Sequence, residues 1–329
     1  MSEPSNDGSR DDAAAEISAD GQASASDIVE GSSILRLLPA SWRPYARLAR
    51  LDRPIGAWLL LLPCWLGLAF AVAAGAAPLT WSIFLDGALF AVGALLMRGA
   101  GCTINDIADR NFDGKVARTA LRPIPSGQVS VRQALVFLAG LMALGATVLF
   151  QFNALTIAVG LASLPLIVIY PFMKRITWWP QLFLGLTFNW GALVGWTAVA
   201  DTLPLAPILL YIAGIFWTLG YDTIYAHQDK EDDALVGVKS TARLFQDGSR
   251  RWIGAFYASM IGWILFAGFS VGLHWTFVIG VGAAAWHLMR QATEVDLDDP
   301  SDCLNTFKSN RDVGFLLLAA FGLATAFGA

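Results

Sequence analysis

Long charge-free runs, interrupted at short turn-forming clusters, dominate the pattern of hydrophobic and polar positions in this chain. Residues 54–85 contain no Asp, Glu, Lys or Arg, and the cluster Gly75-Ala76-Ala77-Pro78 splits them into one span and the start of the next. That second span continues from about Trp81 to Gly101. Residues 133–173 are again uncharged, and Gln151-Phe152-Asn153 divides them in two. Residues 176–221 hold Asp201 as their single charge, close to Pro204, which predicts two more spans. Residues 252–289 lack acids and strong bases, with a break near Gly272-Leu273-His274, and a last span covers Val313 to Ala329. A helix needs roughly 20 mostly apolar residues to cross a hydrocarbon core. The pattern therefore predicts an all-α integral membrane protein, a nine-helix transmembrane bundle over residues 41–329.

The basic residues check that count. All 22 Lys and Arg fall in the N-terminal region or in the connections after the second, fourth, sixth and eighth spans. The opposite connections have none. The positive-inside rule then places the N-terminus and every charged loop in the cytoplasm, with the C-terminus outside. A bacterial cytoplasmic (inner) membrane is the expected setting.

Composition agrees: 56% of the 329 residues are hydrophobic and 15% are charged, against about 25% charged in soluble domains. A net charge of −4 speaks against a nucleic-acid partner. Cys64, Cys102 and Cys303 have neither disulfide nor zinc-ligand spacing. Residues 1–40 are rich in Ser, Ala, Asp and Gly, with Asp7, Asp11, Asp12, Glu16, Asp20, Asp27 and Glu30 where a transit peptide would be basic. They read as a disordered cytoplasmic tail, with Ile34 to Ala49 as an interfacial helix.

Two loops on the charged side carry acids at helical spacing. After the second span come Asn105, Asp106, Asp109 and Asp113, with Asn105, Asp109 and Asp113 four apart and so on one helical face. After the sixth come Asp222, Asp229 and Asp233, spaced seven and four, again predicting one face. Like charges so close need a cation. Magnesium suits them, since it takes one or two carboxylates and completes its shell with water and phosphate oxygens. Arg110, Arg118, Arg122, Lys174, Arg175 and Lys239 lie in the same-side loops, and such cations match a metal-bridged diphosphate.

These residues carry a family resemblance. Asn105-Asp106-x-x-Asp109-x-x-x-Asp113 with Arg118-Thr119-x-x-Arg122-Pro123-x-Pro125-Ser126-Gly127 resembles the first signature of the UbiA-type prenyltransferases. Tyr221-Asp222-x-x-Tyr225-Ala226-x-x-Asp229-x-x-x-Asp233 with Gly237-Val238-Lys239-Ser240-Thr241-Ala242 resembles the second. Leu51-Asp52-Arg53-Pro54-Ile55-Gly56, Tyr170-Pro171-Phe172-Met173-Lys174-Arg175 and Phe307-x-x-Asn310 are similar to the family's 4-hydroxybenzoate branch. The resemblance spans residue 45 to the end. It implies Mg2+ dependence and transfer of a polyprenyl group from polyprenyl diphosphate to the ring of 4-hydroxybenzoate, a step of ubiquinone synthesis in membrane lipid. It further implies that Asn105 and Asp109 ligate one magnesium and Asp229 and Asp233 the other, with Asp106 and Asp113 supporting the metal set. Asp222, Lys239 and Arg53 take catalytic roles, Arg53 as the clamp for the acceptor's carboxylate. Arg110, Arg118, Arg122, Lys174 and Arg175 hold substrate.

Rival readings are a prenyltransferase for another aromatic acceptor, a CDP-alcohol phosphotransferase and a polytopic transporter. Asp109-x-x-x-Asp113-Gly114 has one residue too many for the phosphotransferase signature, and Val131 and Leu135 stand where that signature needs acids. A transporter site would lie nearer the midplane. His227 sits between motif positions and is not expected to be a ligand. Asp86, near the outer end of the second span, receives no role. Gly185, Gly191 and Gly195 suit close helix packing.

Overall fold

The structure, a computed structural model, describes residues 32–113 and 119–328. Residues 1–31 of the expected tail, Arg118 and the side chain of Asp113 lie outside the described residues. Every described element is helical: α1 (Ser33–Leu37), α2 (Arg43–Leu48), α3 (Ile55–Ala73), α4 (Trp81–Asp113), α5 (Val131–Leu149), α6 (Ala154–Ala162), α7 (Leu164–Ile176), α8 (Pro180–Phe188), α9 (Gly191–Ala200), α10 (Leu205–Ala226), α11 (Lys230–Val236), α12 (Thr241–Phe245), α13 (Ser249–Ser270), α14 (Phe277–Glu294) and α15 (Pro300–Gly328).

The expected turns are present. Gly75 and Gly272 adopt φ of 69° and 70°, a left-handed backbone that glycine tolerates. Asn153 caps α6 by accepting from the Thr156 amide at 2.8 Å. Among the described residues, eight helical stretches are long and apolar enough to cross a membrane. The remaining expected pass is α14, eighteen residues whose last two turns carry His287, Arg290, Gln291 and Glu294.

The structure differs from the sequence reading at several points. The second pass runs unbroken to Asp113, so the first acidic motif is helical throughout its described part. The final helix begins at Pro300, not at residue 313. Ile34 to Ala49 folds as α1 and α2, two short helices separated by a turn. Two passes break in mid-course, before Leu164-Pro165 and at Asn189-Trp190.

The chain divides into two compact units. Residues up to Arg53 and Cys102–Ala139 form the smaller, and Pro54–Gly101 with Gly140–Ala329 the larger. In the smaller unit Leu48, Ile124, Val129 and Ala134 make a core flanked by Tyr45, Ile107 and Phe137. Ser130 and Gln133 start α5 with a reciprocal capping box: the Gln133 side chain accepts from the Ser130 amide (2.9 Å) and the Ser130 hydroxyl from the Gln133 amide (3.3 Å).

In the larger unit Trp196, Trp217, Tyr221, Phe70, Phe277 and Phe321 are fully buried. Small residues allow α9 and α3 to touch along their backbones. A methyl group on Gly191 or Gly195 would overlap Cys64, as expected where helices pack in lipid. At the α8–α9 break the buried Asn189 donates to the Gly185 carbonyl (2.9 Å) and to the Thr218 hydroxyl (2.7 Å), which satisfies the polar group that interrupts the pass.

Candidate active site

Each unit contributes a cluster of charge. In the smaller unit the last turns of α4 present Asn105 and Asp109 on one face. Asp109 is buried and Asn105 half-buried. Asp106, one residue on, is rotated about 100° around the helix and makes different contacts. Its Oδ1 accepts from Arg50 Nη2 at 2.7 Å and from Arg122 Nη1 at 3.4 Å, with Asp106 fully buried. Arg50 reaches it from a left-handed backbone, φ 57°. That conformation costs a non-glycine residue on the order of 1 kcal/mol and persists only where the surroundings enforce it. Asp106 thus braces the chain before α3 against the Arg122 loop.

Arg53 directs Nε and Nη2 at Asp52 Oδ2, at 3.1 and 3.0 Å. Arg110 is exposed and donates to the Ile107 carbonyl at 2.8 Å. The Arg122 loop turns at Gly127 (φ 76°) and is closed by Val129 N donating to the Pro123 carbonyl at 2.9 Å. This accounts for the proline and glycine of the first signature.

In the larger unit Asp222 lies in the last turns of α10, half-buried. The helix ends at Ala226, a 3-10 turn covers His227–Asp229, and α11 carries Asp233. Asp222, Asp229 and Asp233 thus do not share one continuous helix. A 3-10 turn advances about 20° more per residue than an α-helix, so the expected common face shifts at Asp229.

The α10 face is fixed from both sides. Phe307 packs on Tyr221 and Tyr225, with ring centroids 5.6 and 4.6 Å away, and Asn310 accepts from Trp217 Nε1 at 2.8 Å. Phe307 and Asn310 matter here as supports. Thr223 and Thr241 share a hydroxyl contact at 2.7 Å, and the Thr241 amide donates to Gln181 at 3.1 Å, which anchors the loop after α11.

Lys239, expected to be catalytic, donates from Nζ to the Ile176 carbonyl at 3.0 Å and lies 5.9 Å from the Trp178 ring. Its amide also donates to the Lys174 carbonyl at 2.8 Å. Those contacts place Lys239 at the C-terminus of α7, where it caps the last carbonyls. Lys174 and Arg175 occupy the last turn of α7.

Sequence reasoning missed Arg98. It stands on α4 with its guanidinium carbon 5.6 Å from the Phe188 ring centroid, and a methyl group on Gly56 would overlap that guanidinium. The one available signal was a basic residue ending a helical run whose other charge is Asp86 alone.

Among the described residues no group of three or more His, Cys, Asp or Glu could hold a metal by itself. The donors come in small sets instead: Asn105 with Asp109, and Asp229 with Asp233. That chemistry fits magnesium delivered with phosphate oxygens, which needs only one or two carboxylates from protein.

Residues 60–324 match the UbiA prenyltransferase family. A mouse (Mus musculus) protein named 4-hydroxybenzoate polyprenyltransferase, mitochondrial, is 50% identical over 290 residues, 88% of this chain and 76% of its own length. Two solved structures share the fold. A UbiA homolog from Aeropyrum pernix K1 in its apo form superposes with a TM-score of 0.64 at 23% identity, covering 82% of this chain and 97% of that one. A UbiA homolog from Archaeoglobus fulgidus bound to GPP and Mg2+ gives 0.59 at 17% identity, covering 86% and 99%.

Proposed function

Because the chain belongs to the UbiA prenyltransferase family, we propose that it transfers the polyprenyl group of a polyprenyl diphosphate to the ring carbon beside the hydroxyl of 4-hydroxybenzoate, a membrane step toward ubiquinone. It is a multi-pass membrane protein. One observation carries the reading. Asp109 is buried beside Asn105 at the end of an apolar helix, while Asp106, its neighbour, is neutralised by Arg50 and Arg122. A buried carboxylate on the helical face it shares with Asn105 suits a cation that arrives with substrate. Similarity to the mouse protein supports the acceptor. Phosphotransfer from a CDP-alcohol and solute transport fall away with family membership.

Asn105 and Asp109 would hold one magnesium, and Asp229 and Asp233 would hold a second. Magnesium held there would supply Lewis-acid charge that offsets the diphosphate as the allylic C–O bond breaks. Lys174, Arg175 and Arg122 add cationic charge against the leaving group. Asp222 sets a negative charge near the allylic carbon as positive charge develops there. The ring carbon attacks that centre, the new C–C bond forms, and loss of the ring proton restores aromaticity. The polyprenyl tail stays in lipid, where each buried CH₂ contributes about 0.8 kcal/mol.

Purified protein in detergent, given magnesium, a polyprenyl diphosphate and 4-hydroxybenzoate, tests this. Diphosphate release should match prenylated acid one for one, and release without prenylated acid would sink the reading. We further place the charged loops on the cytoplasmic face of a bacterial inner membrane, from the distribution of Lys and Arg. Reporters fused near Lys115 and Lys239 should both read as cytoplasmic. A split between them would end the model of two sets acting on one diphosphate.

A further inference from the structure

Basic charge and apolar surface that the reaction does not use gather on the chain leading into the first pass. Residues 32–53 carry five arginines and a single acid, Asp52, in a chain whose net charge is −4. Arg53 engages Asp52, and Arg50 engages Asp106. Arg36, Arg43 and Arg47 pair with no acid among the described residues. Arg47 Nε is buried and makes no hydrogen bond there, a donor in want of an acceptor. The two short helices are tied into one piece: Trp42 N donates to the Pro39 carbonyl at 2.9 Å, and Arg43 Nε to the Leu38 carbonyl at 3.1 Å. Leu35, Ala46 and Leu48 are buried. The other side is open: Leu37 is 86% exposed, Trp42 65% and Ile34 45%. Arg36 and Arg43, their neighbours in sequence, are exposed as well.

We propose that α1 and α2 form a docking site for the headgroup of an anionic phospholipid. Arg36, Arg43 and Arg47 meet the phosphate, while Trp42 and Leu37 lie at the boundary with the acyl chains. Tryptophan and leucine interleaved with arginine suit that boundary, where an apolar body and a charged head are both satisfied. Residues 49–54 alone separate α2 from α3, the first pass. A link that short keeps α2 within about 25 Å of the start of the pass, so the surface cannot leave the neighbourhood of the bilayer. Residues 1–31, with eight acids and one base, match the charge but carry no aromatic residue to meet Trp42. Docking also steadies the site, because Arg50, two residues beyond α2, is the arginine that holds Asp106.

The test uses the purified full chain, stripped of lipid in detergent, and native mass spectrometry with phosphatidylglycerol or phosphatidylcholine of matched acyl chains. Phosphatidylglycerol should bind its first site roughly 10-fold or more tighter, the scale expected of two or three arginines at an anionic surface. Arg36→Gln with Arg43→Gln should bring the two lipids within about 3-fold of each other. Arg47, Arg50 and Arg53 remain in that variant to orient the first pass. Arg290→Gln, at an arginine already paired with Glu294, should leave the preference as it was. Phosphatidylglycerol should raise the melting temperature of the wild type and not that of the double variant. Where the double variant does not fold, Arg36→Gln alone, at an exposed side chain, should show about half the effect on a logarithmic scale. An unchanged preference in these variants, or an equal loss in Arg290→Gln, overturns the proposal. Displacement of the lipid by equimolar glycerol 3-phosphate would make this a site for soluble phosphate and overturn it too. Deleting residues 2–31 should leave the preference in place. A preference that appears only after the deletion would make that acidic stretch the occupant and refute the lipid.

Discussion

Asp109→Ala and Asp229→Ala should each lower kcat by roughly 10²- to 10³-fold, the usual consequence of removing one preorganised group that stabilises transition-state charge. Asp109 is buried, so its replacement removes a negative charge from a place where water cannot substitute for it. Asp229 lies half-buried at the end of a 3-10 turn. Both variants should therefore fold, elute and melt as the wild type does. If the two sets act on one diphosphate, the double variant should be little worse than either single one, because residues that work as a unit give non-additive losses. Losses that multiply would show two independent contributions and contradict the shared diphosphate.

Asp106→Ala should behave differently from Asp109→Ala although the two lie within one helical turn. Removing Asp106 takes from the buried Arg50 and from Arg122 the carboxylate oxygen that both contact. Breaking a buried pair by deleting one partner costs about 3–5 kcal/mol, mostly from the stranded charge. Arg50 also loses the contact that holds its left-handed backbone. A clear drop in melting temperature in detergent should accompany any loss of activity. Removing both charges together, in Asp106→Leu with Arg50→Met, should recover part of that stability. A normal melting curve with abolished turnover would return Asp106 to the metal set.

The contrast between these two aspartates shows what the sequence could reveal. Hydrophobic runs and their interruptions located the turns at Gly75, Asn153 and Gly272, because a glycine with positive φ and an asparagine cap act locally. The i, i+4 spacing placed Asn105 with Asp109 because α4 is uninterrupted. Spacing could not separate Asp106 from Asp109: both are acids in one motif, and only Arg50, 56 residues away, decides between them. The 3-10 turn before α11 was hidden for the opposite reason, since neither His227 nor Gln228 breaks a helix by propensity. The break at Asn189 was hidden because its amide is satisfied across space by Thr218. The surroundings of Lys239 and Arg98 were hidden for one shared reason. The use of a cation depends on what it touches, a carbonyl for Lys239 and an aromatic face for Arg98.

The central claim is that carboxylates of this chain hold a magnesium–diphosphate whose prenyl group passes to an aromatic acid. Turnover of polyprenyl diphosphate with 4-hydroxybenzoate, followed by mass spectrometry before and after removal of divalent ions, tests it most directly. The account predicts one new species, the acid carrying the polyprenyl group on ring carbon, that disappears with EDTA and returns with magnesium. An undiminished yield after thorough removal of divalent ions, or a prenyl group found on oxygen and not on ring carbon, would contradict it.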